Sequence, residues 1–332
     1  MKLKIAINGF GRIGRLTFRA YLERKIEDFE IVAINDLGDI NSNLHLLKYD
    51  SVHGKMMENF EMSGQNLKIG NENIFFSNEP NPKELPWRRL GIDLVIECTG
   101  VFTDRAKAEQ HLKAGARKVL ISAPAKDPDI TVVYGINHNQ IKDDHKIISN
   151  GSCTTNCLAP IAYLMDKSLG IESGYMTTVH SVTGDQNTID TLHKDLRRAR
   201  NSLISMIPTS TGAARAVGEV LPNLKGKIDG SAIRVPTSNV SLVDFKFNSK
   251  KDTTIKELED IFRNAEKNEF RSIIETISVP LVSPDFNHNP HSSVIDINEL
   301  NVINKRLCRI LSWYDNEWGF SNRLIDVIKK IN

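Results

Sequence analysis

The sequence predicts an α/β protein: a doubly wound parallel sheet in the first half, then an α+β region with a mixed or antiparallel sheet. Apolar runs that alternate with helical periods mark the first half as βαβ units. Strands of alternating apolar pattern take their place in the second half, as suits a sheet with one covered face. A length of 332 residues exceeds what one hydrophobic core comfortably fills and suits two domains.

Lys4–Asn8 (KIAIN) is expected as a buried strand, Gly14–Arg24 as the helix after a glycine turn, and Phe29–Ile34 as the next strand. Leu94–Glu97, Val119–Ser122 and Thr131–Val133 read as further strands, with a helix over Ala106–Ala114. In the second half Ala159–Leu169 and Gly212–Leu221 read as helices. Tyr175–His180, Ser231–Val235 and Val240–Phe247 read as strands. Leu324, Ile328 and Ile331 recur at i, i+4 and i+7, so an amphipathic helix is expected over Arg323–Ile331. No repeat or linker divides the chain, so a boundary is placed by motif, near Cys153.

The 43 basic and 41 acidic side chains leave a net charge of +2, which argues against a dedicated nucleic-acid or membrane-surface binder. No run approaches the roughly 18 apolar residues of a membrane span. The N-terminus turns at once into a strand-and-glycine pattern, without the apolar region of a signal peptide. Four unevenly spaced cysteines, Cys98, Cys153, Cys157 and Cys308, do not make a disulfide framework. They are expected as thiols in a reducing compartment, the cytoplasm.

Gly9-Phe10-Gly11-Arg12-Ile13-Gly14 is a GxGxxG turn between a strand and a helix. Gly9 permits the tight turn, Gly11 lets backbone approach a pyrophosphate, and Gly14 allows close helix–strand packing. Asp36 ends the second strand, 22 residues beyond Gly14, where a carboxylate would accept from ribose hydroxyls. The alternative is an ordinary βα turn with a surface aspartate. The order of strand, glycines, helix, strand and acid points to a Rossmann-type site. The carboxylate would repel the extra phosphate of NADP, so NAD is the expected cofactor.

Ser149–Pro160 reads SNGSCTTNCLAP. Cys153 stands before a helical run, where free N–H groups would stabilise a thiolate. Cys157 follows one turn later, but no further ligands at metal spacing accompany it, so no metal is expected. His180 ends a strand and enters a polar loop. Brought together, the two would form a thiolate–imidazolium pair. A buried structural cysteine and a structural histidine remain the alternative. Thr211-Gly212 opens a helix suited to phosphate oxygens. Arg197 and Arg234 could add charge-assisted forks, or Arg197, Arg198 and Arg200 could be a solvated charge cluster.

INGFGRIGR, SNGSCTTNCLAP, TTVH at 177–180, HKDLRRAR at 193–200, STGAARAVG at 210–218, RVPT at 234–237 and SWYDNEWGFSNR at 312–323 occur in order. Over essentially its whole length the chain resembles the bacterial glyceraldehyde-3-phosphate dehydrogenases. The resemblance implies Cys153 as nucleophile and His180 as its base. It implies Arg12, Ile13, Asp36, Ser122 and Asn316 around NAD, with Asn316 near the nicotinamide amide. Ser152, Thr154, Thr183, Arg197, Thr211, Gly212 and Arg234 would surround the substrate phosphate of glyceraldehyde 3-phosphate and the attacking inorganic phosphate. A cytosolic homotetramer is implied, with the loop around 181–205 crossing a subunit interface. The NAD-binding domain is placed at 1–152, completed by the C-terminal helix at about 315–332, and the catalytic domain at 153–314.

The chain departs from the family's usual wording at Gly151, where alanine is common, and at Ser238, where proline is. Pro80 replaces a common arginine near the adenine, and Thr191-Leu192 a common Leu-Pro beside the ribose. Two alternatives stand beside the main reading. One is the sister enzyme that oxidises erythrose 4-phosphate; the other is a non-catalytic nucleic-acid or partner-binding protein on this scaffold.

Overall fold

The computed structural model describes residues 2–70 and 72–331. The chain divides into two compact units, residues 1–151 with 321–332, and residues 152–320. In the first unit the elements run β1 (Leu3–Asn8), α1 (Arg12–Glu23), β2 (Phe29–Asn35), α2 (Ile40–Lys48) and a short hairpin, β3 (Tyr49–Asp50) with β4 (Gly54–Lys55). There follow β5 (Phe60–Ser63), β6 (Asn66–Ile69), β7 (Glu72–Ser77), α3 (Trp87–Leu90), β8 (Leu94–Glu97) and α4 (Arg105–Ala114). The segment closes with β9 (Lys118–Ile121), β10 (Ile130–Thr131) and β11 (Ile147–Ser149).

Nine of these strands form one sheet in the order β10-β11-β9-β8-β1-β2-β7-β6-β5. It is parallel from β10 to β7, and its β7-β6-β5 edge is antiparallel. That edge was not expected: its strands are short and joined by tight turns, so they carry no helical crossover to announce them. Strand β1 has β2 on one side and β8 on the other. The order reverses there, and in open α/β sheets such a point opens a crevice beyond the carboxyl ends of the strands. Gly9, Asp36 and Cys98 each follow one of these three ends. A Cβ on Gly9 (φ +92°) would meet the backbone N of Thr99 at 2.6 Å. One on Gly14 would lie 2.2 Å from the carbonyl O of Gly9, so helix and turn approach as only glycines allow.

The expected strand Thr131–Val133 is reduced to Ile130–Thr131. Asn137 is the cause. Its Oδ1 accepts from Val133 N–H at 2.8 Å and its Nδ2 donates to Thr131 O at 2.8 Å, so the chain turns out of the ladder.

The second unit runs α5 (Cys153–Ser168), β12 (Ile171–Ser181), β13 (Ile207–Ser210), α6 (Ala213–Val220), β14 (Ile228–Val235) and β15 (Ser241–Ser249). Then come α7 (Ile255–Lys267), β16 (Ile274–Ile277), β17 (Ser293–Asp296), β18 (Asn301–Ile303) and β19 (Leu307–Tyr314); α8 (Trp318–Ile331) follows and from Ser321 onward belongs to the first unit. Its mixed sheet has the order β13-β14-β12-β15-β19-β17-β16, with β18 paired to β19. Helix α5 begins at Cys153 rather than at the expected Ala159. Pro160 lacks the N–H that a helix interior needs and so imitates a helix start, but Ser152 caps the true first turn. Helix α8 likewise starts at Trp318 rather than Arg323, because Asp315 Oδ1 accepts from the N–H groups of Glu317 and Trp318 at 2.9 and 2.7 Å. Among the described residues no helix is long and apolar enough to cross a membrane.

Candidate active site

In the first unit the ends of β1, β2 and β8 line a cleft of about 440 Å³. Gly9, Gly11, Asp36, Cys98, Thr99 and Phe102 face it. A Cβ on Gly11 would meet nothing within 4 Å, so space is left beside the turn. Helix α1 has no side-chain cap and no acid in its first turn, so its leading N–H groups stay suited to an anion. Asp36 Oδ2 accepts from Phe10 N–H at 2.7 Å, and Oδ1 accepts from Gly38 N–H at 2.7 Å and Asn43 Nδ2 at 3.1 Å. The carboxylate therefore braces the glycine turn as well as facing the cleft. Arg12 donates to Asp50 at 2.5 Å. Burial works to raise the Asp50 pKa, but the His53 N–H, the Arg12 guanidinium and the Val52 N–H hold it at about 2. Ile13 is half-buried. Ser122 follows β9, its N–H on Glu97 O at 3.0 Å. This cradle fits a dinucleotide.

Beneath it lies a polar network that sequence reading missed. Glu97 is 1% exposed, and its Oε2 accepts from Asn8 Nδ2 at 2.6 Å and pairs with His111 Nε2 at 3.0 Å. Its Oε1 accepts from Thr99 N–H at 2.7 Å. Trp87 Nε1–H donates to His111 Nδ1 at 3.1 Å, which leaves the ring proton on Nε2 for Glu97. A buried carboxylate thus fixes the β8 turn against the β1 turn. Only the apolar run around Glu97 was visible in the sequence, and it gave no sign of the partner at 111.

In the second unit, α5 sets Cys153 as its first residue, and Ser152 accepts from Thr155 N–H at 3.0 Å. Strand β12 brings His180 level with Arg234 of β14 in parallel register. Cys153 Sγ lies 3.5 Å from His180 Nε2. His180 Nδ1 lies 2.8 Å from Ser181 O and 2.6 Å from Arg234 Nη1. Tyr314 OH bonds Thr154 Oγ1 and Thr178 Oγ1, each at 2.9 Å, and so ties the start of α5 to β12. Its ring meets the His180 ring edge-on at 5.9 Å.

Burial acts against charge on both members of the expected thiolate–imidazolium pair. Burial pushes the Cys153 thiol up, against the pull of Arg234 and of hydrogen bonds from Thr154. Burial, with the Arg234 charge second, lowers His180 to about 3. Cys157 is buried, its thiol pushed up to about 12 by desolvation, and it donates to Ser312 Oγ at 3.5 Å.

The anion-binding candidates fall into two sets. Arg234 stands at the pair, its guanidinium mostly removed from water and its Nε buried without a hydrogen-bond partner. Thr211 and Gly212 open α6, where Gly212 provides no side-chain cap. Ser152 spends its hydroxyl on the cap, and Thr154 turns its hydroxyl inward to Tyr314. Thr183 is exposed and bonds Gln186 Oε1 through both its N–H (2.9 Å) and its hydroxyl (3.1 Å). Arg197 is exposed, and the neighbouring Arg198 is the one whose Nη2 reaches Thr209 Oγ1, at 2.7 Å. Asn316 Oδ1 accepts from Ser181 Oγ at 2.9 Å and Ser241 Oγ at 2.8 Å, leaving its amide N–H₂ as the free end.

Family comparison accounts for both arrangements. The NAD-binding domain of glyceraldehyde 3-phosphate dehydrogenase matches residues 3–105, and the C-terminal domain of the same enzyme matches residues 152–316. The chain belongs to the glyceraldehyde-3-phosphate dehydrogenase family. Within it, relatives carrying that enzyme's name include proteins of Xanthobacter flavus and Pseudomonas aeruginosa. They are 52% and 53% identical over 98% of this chain and 97% of their own length. A third, from Priestia megaterium, is 50% identical over 100% of this chain and 98% of its own. The family's N-terminal domain is an NAD-binding domain, and the cleft beside Asp36 lies within the residues it matches.

Proposed function

We propose that the protein catalyses NAD-dependent, phosphorylating oxidation of glyceraldehyde 3-phosphate through a thioester on Cys153. The observation that carries this is the 3.5 Å approach of Cys153 Sγ to His180 Nε2 beside a buried, incompletely paired Arg234. Cys153 sulfur adds to the aldehyde carbon, forming a C–S bond and a thiohemiacetal hydroxyl. Bound NAD supplies the hydride acceptor. His180 takes the hydroxyl proton as the adduct is oxidised to the thioester. An inorganic phosphate oxygen then attacks the acyl carbon, the C–S bond breaks, and 1,3-bisphosphoglycerate leaves. Sulfur suits both steps, as a strong nucleophile and a good leaving group. Arg234, Arg197, Thr183, Thr211, Gly212, Ser152 and Thr154 are the proposed partners of the two phosphates, with Thr154 contributing through backbone. Asn316 is proposed to donate its free amide to the nicotinamide carboxamide.

Glyceraldehyde 3-phosphate, inorganic phosphate and NAD supplied together should yield NADH; omitting phosphate should suppress steady turnover. Equal rates with and without phosphate would sink the thioester-to-phosphate step. Faster turnover of erythrose 4-phosphate would replace the substrate named here by its four-carbon homologue. Asp36→Ala should weaken NAD binding about 10-fold or more, the loss of a charge-assisted hydrogen bond. Titration calorimetry reads this directly, and an unchanged Kd would remove Asp36 from the cofactor site.

A homotetramer is also proposed. Ile189, Leu192, Leu196, Leu203, Ile204 and Met206 are all more than half exposed on the segment between β12 and β13. So many exposed apolar side chains on one segment support an interface there. Sedimentation should give a tetramer that Leu192→Asp with Ile204→Asp dissociates. A wild-type monomer would refute this.

A further inference from the structure

Four neighbouring strands of the first sheet end on polar residues in register: Glu97 on β8, Asn8 on β1, Asn35 on β2 and Ser77 on β7. All four are buried, so each side chain must find its partner within the row. The bonds run one way. Ser77 Oγ–H donates to Asn35 Oδ1 at 2.8 Å, Asn35 Nδ2 to Asn8 Oδ1 at 2.8 Å, and Asn8 Nδ2 to Glu97 Oε2 at 2.6 Å. The direction is set at the Glu97 end, where every neighbour donates. Trp87 keeps the His111 proton on Nε2, and Thr99 N–H donates to Oε1. The Thr99 hydroxyl accepts from Val101 N–H at 3.1 Å and turns its own proton to the same Oε1. Two oxygens that meet only donors call for a carboxylate. Among the described residues no lysine or arginine pairs with it, so its charge is spread through these bonds alone.

The row reaches both walls of the cleft beside Asp36. At one end Glu97 holds Thr99. At the other Asn35 holds Glu79 twice, its Oδ1 accepting from Glu79 N–H at 2.9 Å and its Nδ2 donating to Glu79 O at 3.0 Å. Thr99 and Glu79 line the cleft together with Asn8 and Asn35, whereas Glu97 and His111 do not.

We propose that Glu97 is a positioning residue for NAD: from beneath the cleft its carboxylate aligns the amides of Asn8 and Asn35 and so sets the two walls at the spacing a dinucleotide needs. This rests on reading that cleft as the NAD site. The charge is required, not merely the shape. A glutamine at 97 would offer one acceptor oxygen to two pairs of donors. With that oxygen toward Thr99, its NH₂ faces Asn8 Nδ2, and the Asn8 amide must turn over. Asn35 then turns over in its place and loses both bonds to Glu79. With the NH₂ toward Thr99, the opposite wall is released instead. Moving the charge one place along the row repairs this. In Asn8→Asp combined with Glu97→Gln, the new carboxylate accepts from Asn35 Nδ2 and from the amide at 97, whose oxygen stays on Thr99. It also accepts from His111 Nε2–H, which already lies 3.4 Å from the Asn8 amide nitrogen.

Titration calorimetry with NAD tests this, run beside Asp36→Ala. Glu97→Gln should raise Kd at least about fivefold with the wild-type number of sites, the cost of a buried donor left unpaired. KM for NAD should rise with it, while NADH formation at saturating NAD stays within about twofold. The double variant should return Kd to within about twofold of the wild type. A merely structural role would lower the number of sites and leave the Kd of the folded fraction unchanged, and that result overturns the proposal. So does a double variant that binds as poorly as Glu97→Gln. If Glu97→Gln does not fold, the double variant decides alone: wild-type affinity supports the relay, and a weakly binding or unfolded double variant refutes it. The underlying reading is judged separately, because an unchanged Kd in Asp36→Ala would remove NAD from this cleft whatever Glu97 does.

Discussion

Replacing Cys153 by serine is expected to reduce phosphorylating turnover by at least about 10³-fold, as removal of a nucleophile from a coupled pair does elsewhere. A serine hydroxyl at the same helix start keeps the cap and the backbone, so the fold should persist. NAD affinity should stay within about twofold, since 1.4 kcal/mol would already be tenfold and no contact in the first-unit cleft is removed. The measurements are NADH formation under saturating substrates and calorimetric titration with NAD. Retained turnover with normal NAD binding would disqualify Cys153. Lost NAD binding would point to misfolding, and circular dichroism would reveal that.

His180→Asn should slow oxidation by roughly 10²–10⁴-fold, the span that general acid–base catalysis contributes. Rapid-mixing measurement of the first NADH turnover isolates this step from phosphate attack. A rate within a few-fold of the wild type would remove His180 from the role of base. The same variant carries a stability signature. Burial lowers the folded imidazole to about 3, below the roughly 6.5 of an unfolded chain. The folded state then binds fewer protons, so this group's contribution is present above about pH 6.5 and is lost as the pH falls toward 3. Urea unfolding of His180→Asn should show a flatter pH dependence over that window.

Much of the cofactor cleft was legible because its signals are local. The glycines at 9, 11 and 14 and the acid at 36 lie within one βαβ unit, where spacing along the chain sets spacing in space. The C-terminal region was less legible for a definite reason. Helix α7 went unread although Thr254, three residues before Glu257, is a recognisable N-terminal signature, and its hydroxyl does accept from Glu257 N–H at 3.2 Å. Strand β19 was hidden because its apolar residues read equally well as part of a motif. The start of α5 was hidden by Pro160.

The sequence by itself determined the class of fold, the family and the place of the glycine turn, and it singled out Cys153 and His180, which the fold brings to 3.5 Å of each other. These depend on residue type and short-range order, which a linear string carries in full. Only the tertiary structure decided that Arg234 lies level with His180, that Tyr314 binds Thr154 to Thr178, and that Asn316 is oriented by Ser181 and Ser241. It also decided that burial works against ionisation of the thiol beside the helix start. Each of these is set by strand register and by the exclusion of water. Those arise between residues tens to more than a hundred positions apart, where no local pattern records which side chain will be buried against which.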